Sequence, residues 1–136
     1  MPVELTRRTH FCAAHRLHSP HLSEEENARV YGNCNNPYGH GHNYSLEVTI
    51  AAEPDPKTGM IMNLYELNTI IQREIIEKVD HRHLNHDVPI MKDILPTVEN
   101  MVVVFWKILE EHLPAGMLKK VKLWETENNS AAYEGP

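Results

Sequence analysis

His40-Gly41-His42-Asn43-Tyr44-Ser45-Leu46-Glu47-Val48-Thr49-Ile50 repeats with a period of two. His40, His42, Tyr44, Leu46, Val48 and Ile50 share one face of an extended chain, and Asn43, Ser45, Glu47 and Thr49 share the other. One apolar face and one polar face describe a strand of an antiparallel sheet that is packed on one side only. Upstream, residues 3–14 mix alternation with β-branched and aromatic side chains and predict a partner strand with Thr9, Phe11, Ala13 and His15 on one face. Between the two strands, Ser23-Glu24-Glu25-Glu26 has capping-box spacing and predicts a short helix within a polar loop.

Downstream, Glu53-Pro54-Asp55-Pro56-Lys57-Thr58-Gly59 is dense in turn residues, and Met60-Ile61-Met62 suggests a hairpin returning to the sheet. Asn63 and Glu66 again have capping-box spacing, and Leu64, Leu67, Ile71, Ile75 and Val79 form one buried helical stripe. A second helix starts at Thr97, buries Val98, Met101, Val102, Phe105, Ile108 and Leu109, and stops at Pro114 and Gly116. Residues 118–126 return to alternation, with Val121, Leu123 and Glu125 on one face, and residues 130–133 suit a last edge strand. The order ββααββ predicts an α+β domain: a four-stranded antiparallel sheet with two helices on one face.

The chain's 136 residues suffice for one hydrophobic core and not for two, so residues 1–136 read as a single domain. A formal charge of −6 argues against a nucleic-acid-binding face. No stretch approaches the ~20 apolar residues that span a bilayer and no signal-like run follows the first charges, so the reading is a cytoplasmic protein without a membrane partner. Cys12 and Cys34 are then expected to be reduced thiols. Ten histidines are the unusual count, because neutral imidazole is the commonest metal ligand.

Side chains two apart on a strand point the same way, roughly 6.6 Å apart, so His40 and His42 can converge on one ion. Alternatively they are ordinary strand histidines. Both lie on the apolar face, however, where an unpartnered imidazole leaves polar nitrogens unsatisfied. His15 shares the parity of Phe11 and Ala13 and can supply a third nitrogen; three histidines describe an open, catalytic site. Cys34 lies in the loop leading into the His-x-His strand. Its thiol is a base or nucleophile if a nearby cation favours thiolate, and otherwise a fourth metal ligand or inert. Asp80-His81 pairs a carboxylate with an imidazole whose tautomer it can fix. Glu125 continues the apolar face of Val121 and Leu123, and is either an exposed strand end or a buried carboxylate facing a planar donor edge.

Cys34-Asn35-Asn36-Pro37-Tyr38-Gly39-His40-Gly41-His42-Asn43-Tyr44 closely resembles the signature of the 6-pyruvoyl-tetrahydropterin synthase family. The blocks Phe11-Cys12-Ala13-Ala14-His15-Arg16-Leu17, Asp55-Pro56-Lys57-Thr58-Gly59-Met60, Val79-Asp80-His81, Thr97-Val98-Glu99-Asn100 and Trp124-Glu125-Thr126-Glu127-Asn128-Asn129 resemble it too, in family order over nearly the whole chain. The resemblance implies the tunnelling or T-fold and a homohexamer, a dimer of trimers with active sites between subunits. It implies that His15, His40 and His42 bind one Zn2+, that Cys34 abstracts a proton, and that Asp80 and His81 act as its relay, serving a neighbour's Cys34. It also implies that Glu125 anchors a pterin ring with Thr97 and Glu99 near the same pocket.

The implied reaction converts 7,8-dihydroneopterin triphosphate, accompanied by Mg2+, to 6-pyruvoyl-tetrahydropterin and triphosphate in tetrahydrobiopterin biosynthesis. The implied alternatives are the sister 6-carboxy-tetrahydropterin synthase of deazapurine (queuosine) biosynthesis, whose members typically have a shorter cysteine-to-histidine segment, and a non-catalytic zinc-binding module of the same fold. Here five residues separate Cys34 from His40. Pro96-Thr97-Val98-Glu99-Asn100 departs from the Ser-Thr-Thr-Glu-Asn of animal members by two hydroxyls. Arg7, Arg8, Arg16, Lys120 and Lys122 are the candidate cations for the triphosphate.

Overall fold

A computed structural model describes residues 1–136. Two 13-residue strands, β1 (Val3–His15) and β2 (His40–Ala52), pair antiparallel along their whole length, from Val3 opposite Ala52 to His15 opposite His40. Helix α1 (Glu24–Tyr31) sits in the connection between them, and its Ser23 and Glu26 form the reciprocal capping box. β4 (Leu118–Trp124) pairs antiparallel with the free edge of β2, and β5 (Ser130–Tyr133) pairs with β4.

The sheet has a fifth strand that alternation did not predict. β3 (Arg82–His83) runs parallel to β1 at its outer edge, giving the order β3-β1-β2-β4-β5. Two residues are too short to carry a periodicity. What seats them is backbone pairing: the His81 N–H donates to the Cys12 carbonyl and the Leu84 N–H to the Ala14 carbonyl, each at 2.7 Å. The expected return of Met60-Ile61-Met62 to the sheet does not occur. Both edges of β2 are already taken by β1 and β4. The segment instead closes on itself through Gly59 N–H to Asp55 O and Asp55 N–H to Met60 O. Ile61 and Met62 pack against the core as side chains only.

Helix α2 (Leu64–Ile71) passes through one π-helical turn, Gln72–Ile76, into α3 (Glu77–Val79), so residues 64–79 form one rod. Asn63 caps it by accepting from the Tyr65 N–H. Leu67, Ile71, Ile75 and Val79 are fully buried as their spacing predicts, while Leu64, in the first turn, is 48% exposed. Helix α4 (Val98–His112), capped by the Thr97 hydroxyl, buries Met101, Val102, Phe105 and Leu109 and also Trp106. These helices cover the face of the sheet formed by Phe11, Ala13, Tyr44, Leu46, Val48, Val121 and Leu123. Phe11 stacks on Tyr44 at 4.8 Å and meets Phe105 edge-on at 6.2 Å, which locks the sheet to α4. No helix is long and apolar enough to cross a membrane.

Candidate metal centre and active site

Register alone brings three imidazoles together. His15 opposes His40 across the β1–β2 ladder, and Ala13 opposes His42, so both strand-end histidines and their neighbour share the helix-covered face. Ring centroids are separated by 4.7 Å (His15–His40), 5.1 Å (His15–His42) and 4.8 Å (His40–His42), at interplanar angles of 69°, 90° and 88°. One nitrogen from each lies within 4.8 Å of the others, and His15 Nε2 is 3.1 Å from His40 Nε2. Tetrahedral coordination with N to metal bonds of ~2.0–2.1 Å asks for nitrogens about 3.3 Å apart.

The chemistry of the donors fits a cation. His15 is fully buried, and its Nδ1 lies 2.8 Å from the Pro96 carbonyl. A carbonyl only accepts, so Nδ1 carries the proton and Nε2 keeps its lone pair. His40 Nδ1 and His42 Nε2 are buried without any hydrogen-bond partner. Burial, reinforced by His40, His42 and His83, pushes the His15 pKa down to about 4 against the opposing pull of the Pro96 carbonyl. Burial likewise lowers His42, opposed by the charge of Glu125. Both shifts keep His15 and His42 unprotonated at neutral pH, which is what a divalent ion requires of imidazole ligands.

Cys34 reaches this site through a single 3-10 turn, Gly32–Asn35, and lines an open cleft together with His40 and His42. Its loop is fastened to the segment after His15 at several points. The Leu17 N–H donates to the Cys34 carbonyl at 2.8 Å, Asn35 Nδ2 donates to the Leu17 carbonyl, and Arg16 Nε donates to the Asn35 carbonyl. Asn27, fully buried, ties residues 19–23 together by accepting from the Ser19 N–H and donating to the carbonyls of Ser19, Leu22 and Ser23. Arg16, a candidate phosphate cation, thus has a structural engagement. Arg8 and Lys122 flank the Trp124 ring at 6.0 and 4.5 Å, on the sheet face opposite the histidines.

Glu125 lies one residue past the end of β4, and its Oε1 is 3.5 Å from His42 Nε2, with only 19% of the side chain exposed. It is therefore a partly buried carboxylate beside the imidazoles. Beneath them the Tyr44 hydroxyl is 3.4 Å from His15 Nδ1, and burial with the nearby Glu125 and Cys34 raises its pKa. Thr97 spends its hydroxyl on the Asn100 N–H as the cap of α4, and Glu99 is exposed in the first turn of that helix.

Asp80 and His81 stand elsewhere. Their side chains meet at 3.0 Å, but they gather at Cys12, whose strand parity is opposite to that of His15. Asp80 is held below the usual carboxylate range, first by the Cys12 N–H and then by His81. Within one chain His81 and Cys34 thus line separate clefts. Sequence reasoning did not find the supports of the site. The Pro96 carbonyl carries no side-chain signal, and Tyr44 reads only as a core position. Gly39 does carry a signal, its place beside His40. It has φ +79, and a Cβ there would lie 2.8 Å from His83 Nε2 and 3.0 Å from the His15 carbonyl oxygen.

The family described as 6-pyruvoyl tetrahydropterin synthase matches residues 4–136. The human 6-pyruvoyl tetrahydrobiopterin synthase is 48% identical over 133 residues, covering 98% of this chain and 92% of that protein. A 6-carboxy-5,6,7,8-tetrahydropterin synthase from Aquifex aeolicus is 28% identical over 163 residues, covering 98% of this chain and 99% of that one. The solved structure of the Caenorhabditis elegans 6-pyruvoyl tetrahydropterin synthase superposes with a TM-score of 0.95 at 38% identity, covering 100% of this chain and 97% of that chain, so the fold is the T-fold. With a match of this extent, the chain belongs to the 6-pyruvoyl tetrahydropterin synthase family of enzymes.

Proposed function

We propose that this chain, one domain over residues 1–136, is a zinc-dependent lyase that converts 7,8-dihydroneopterin triphosphate to 6-pyruvoyl-tetrahydropterin and triphosphate. The observation that carries the reading is the convergence of His15, His40 and His42 nitrogens within 4.8 Å, in a cleft that Cys34 also lines. His15, His40 and His42 hold Zn2+, which supplies a Lewis acid for the substrate's side-chain oxygens. Cys34 takes the carbon-bound proton of the side chain, and Asp80 with His81 returns protons to it. Glu125 offers two carboxylate oxygens to the N–H edge of the pterin ring, with Thr97 and Glu99 at the pocket's rim. Loss of triphosphate is accompanied by internal redox between ring and side chain, so the balance needs no external oxidant or reductant. Mg2+ accompanies the triphosphate.

Because His81 and Cys34 line separate clefts of one chain, the Asp80–His81 pair serves the Cys34 of a neighbouring subunit. A homohexamer built as a dimer of trimers supplies that neighbour, and the protein acts in the cytoplasm. Two observations favour the pyruvoyl product over the 6-carboxy product of the sister enzyme: the five residues between Cys34 and His40, and the 48% against 28% identity to the two kinds of relative.

The test is to incubate zinc-loaded protein with 7,8-dihydroneopterin triphosphate and Mg2+, without nicotinamide, and to identify the pterin by mass. A 6-pyruvoyl product with free triphosphate is expected. A 6-carboxy product with acetaldehyde assigns the chain to the sister reaction, and no turnover by folded, zinc-containing protein makes it a non-catalytic module.

A further inference from the structure

The chemistry above makes no use of Cys12, yet its thiol is not isolated. The Cys12 sulfur, an Asp80 carboxylate oxygen and a His81 ring nitrogen lie within 4.8 Å of one another. Backbone hydrogen bonds fix this grouping: the Cys12 N–H donates to Asp80 Oδ1 at 3.0 Å, and the His81 N–H donates to the Cys12 carbonyl at 2.7 Å. His81 also sits at φ 60, a left-handed conformation uncommon for a residue with a side chain. Cys12 and His81 line a cleft of about 600 Å³ together with Asn43, His83 and Asp87, so a hydrated ion can reach the grouping from that side.

One soft thiolate, one imidazole and one carboxylate make a donor set for zinc or cadmium and a poor one for magnesium or calcium, which prefer oxygen alone. We propose that Cys12, Asp80 and His81 form a second site for a thiophilic divalent cation, on the sheet face opposite the three histidines and weaker than theirs. Binding displaces the Cys12 thiol proton to solvent and forms a sulfur–metal bond, with His81 neutral and Asp80 ionised. Occupation also withdraws Asp80 and His81 from proton transfer. That inhibitory consequence rests on the relay role proposed above; the binding does not.

Protein preloaded with one equivalent of zinc is titrated with cadmium while the thiolate-to-cadmium charge-transfer absorption is followed in the ultraviolet. The expected band saturates at one added cadmium per chain, disappears in Cys12→Ser and persists in Cys34→Ser. In Asp80→Asn half-saturation moves to roughly 10-fold higher cadmium or more, which keeps the test sharp even if Cys12→Ser folds poorly. No band, a band that survives Cys12→Ser, or one lost in Cys34→Ser overturns the proposal, the last by making Cys34 the thiolate ligand in place of Cys12. Turnover is read separately: cadmium should inhibit the wild type and spare Cys12→Ser, which keeps its basal rate. A normal band with unimpaired turnover leaves the site standing and removes Asp80 and His81 from the relay.

Discussion

His15 Nδ1 and the carbonyl oxygen of Pro96, 81 residues apart in sequence, are joined by a buried 2.8 Å hydrogen bond. The bond reaches from the end of β1 to the residue before the cap of α4, so the segment that starts a helix also sets the tautomer of a candidate metal ligand. The geometry leaves His15 Nε2 as the lone-pair donor, facing His40 and His42.

Removing one imidazole should therefore cost the ion and not only a contact. His40→Ala or His42→Ala is expected to lower metal affinity by at least about 100-fold, more than the loss of an outer supporting group. Metal analysis after dialysis against a weak chelator checks this. Near-stoichiometric zinc in either variant would show that the trio is not the site.

Acid should weaken the metal-free fold in a defined window. His15 titrates at about 4 when folded and near 6.5 when unfolded, so between these values the unfolded chain binds the extra proton. The His15 contribution is complete above pH 6.5 and is lost as pH falls towards 4. Burial lowers His42 and His83 in the same direction. The His15 share is on the order of 3 kcal/mol. Thermal unfolding of chelator-treated protein should show Tm level at pH 7–8 and falling steeply below 6.5, with a flatter profile in His15→Leu.

Cys34 lines the cleft of His40 and His42 without belonging to the group of converging nitrogens. Cys34→Ala should accordingly retain zinc, assembly and Tm while reducing turnover by about 10²- to 10⁴-fold, the range of a general base. Loss of zinc in the variant would make the thiol a fourth ligand, and unchanged turnover would take it out of the mechanism.

Much of this site could be read from period two alone. His40, His42 and Tyr44 share a face by counting, and His15 follows from the parity of Phe11 and Ala13; the structure needed only the β1–β2 register to join them. The buried helical stripe from Leu67 to Val79 also continues through the π-turn, in which Ile75 and Ile76 are both buried. Other features depend on long-range backbone pairing and leave no local trace. β3 exists because Cys12 and Ala14 offer carbonyls to His81 and Leu84, and the same pairing carries Asp80 and His81 away from Cys34. The Met60–Met62 segment failed as a strand for the opposite reason: its pattern was adequate, but neither edge of β2 was free.

Gly39 connects these two kinds of information, since its place in the sequence is legible and its reason lies in tertiary contact. A methyl group at this position would meet His83 Nε2 at 2.8 Å and the His15 carbonyl oxygen at 3.0 Å, on a backbone with φ +79. The His83 ring can move, but the His15 carbonyl is part of the β1 ladder and cannot do so cheaply. Gly39→Ala should thus destabilise the fold by about 1–3 kcal/mol through strain at positive φ. Because the strain falls between His15 and His40, zinc affinity should drop together with Tm. Parallel thermal and zinc-titration measurements separate the outcomes: a lower Tm with unaltered zinc affinity would mean that the loop yields without disturbing the imidazoles, and Gly39 would then serve the turn alone.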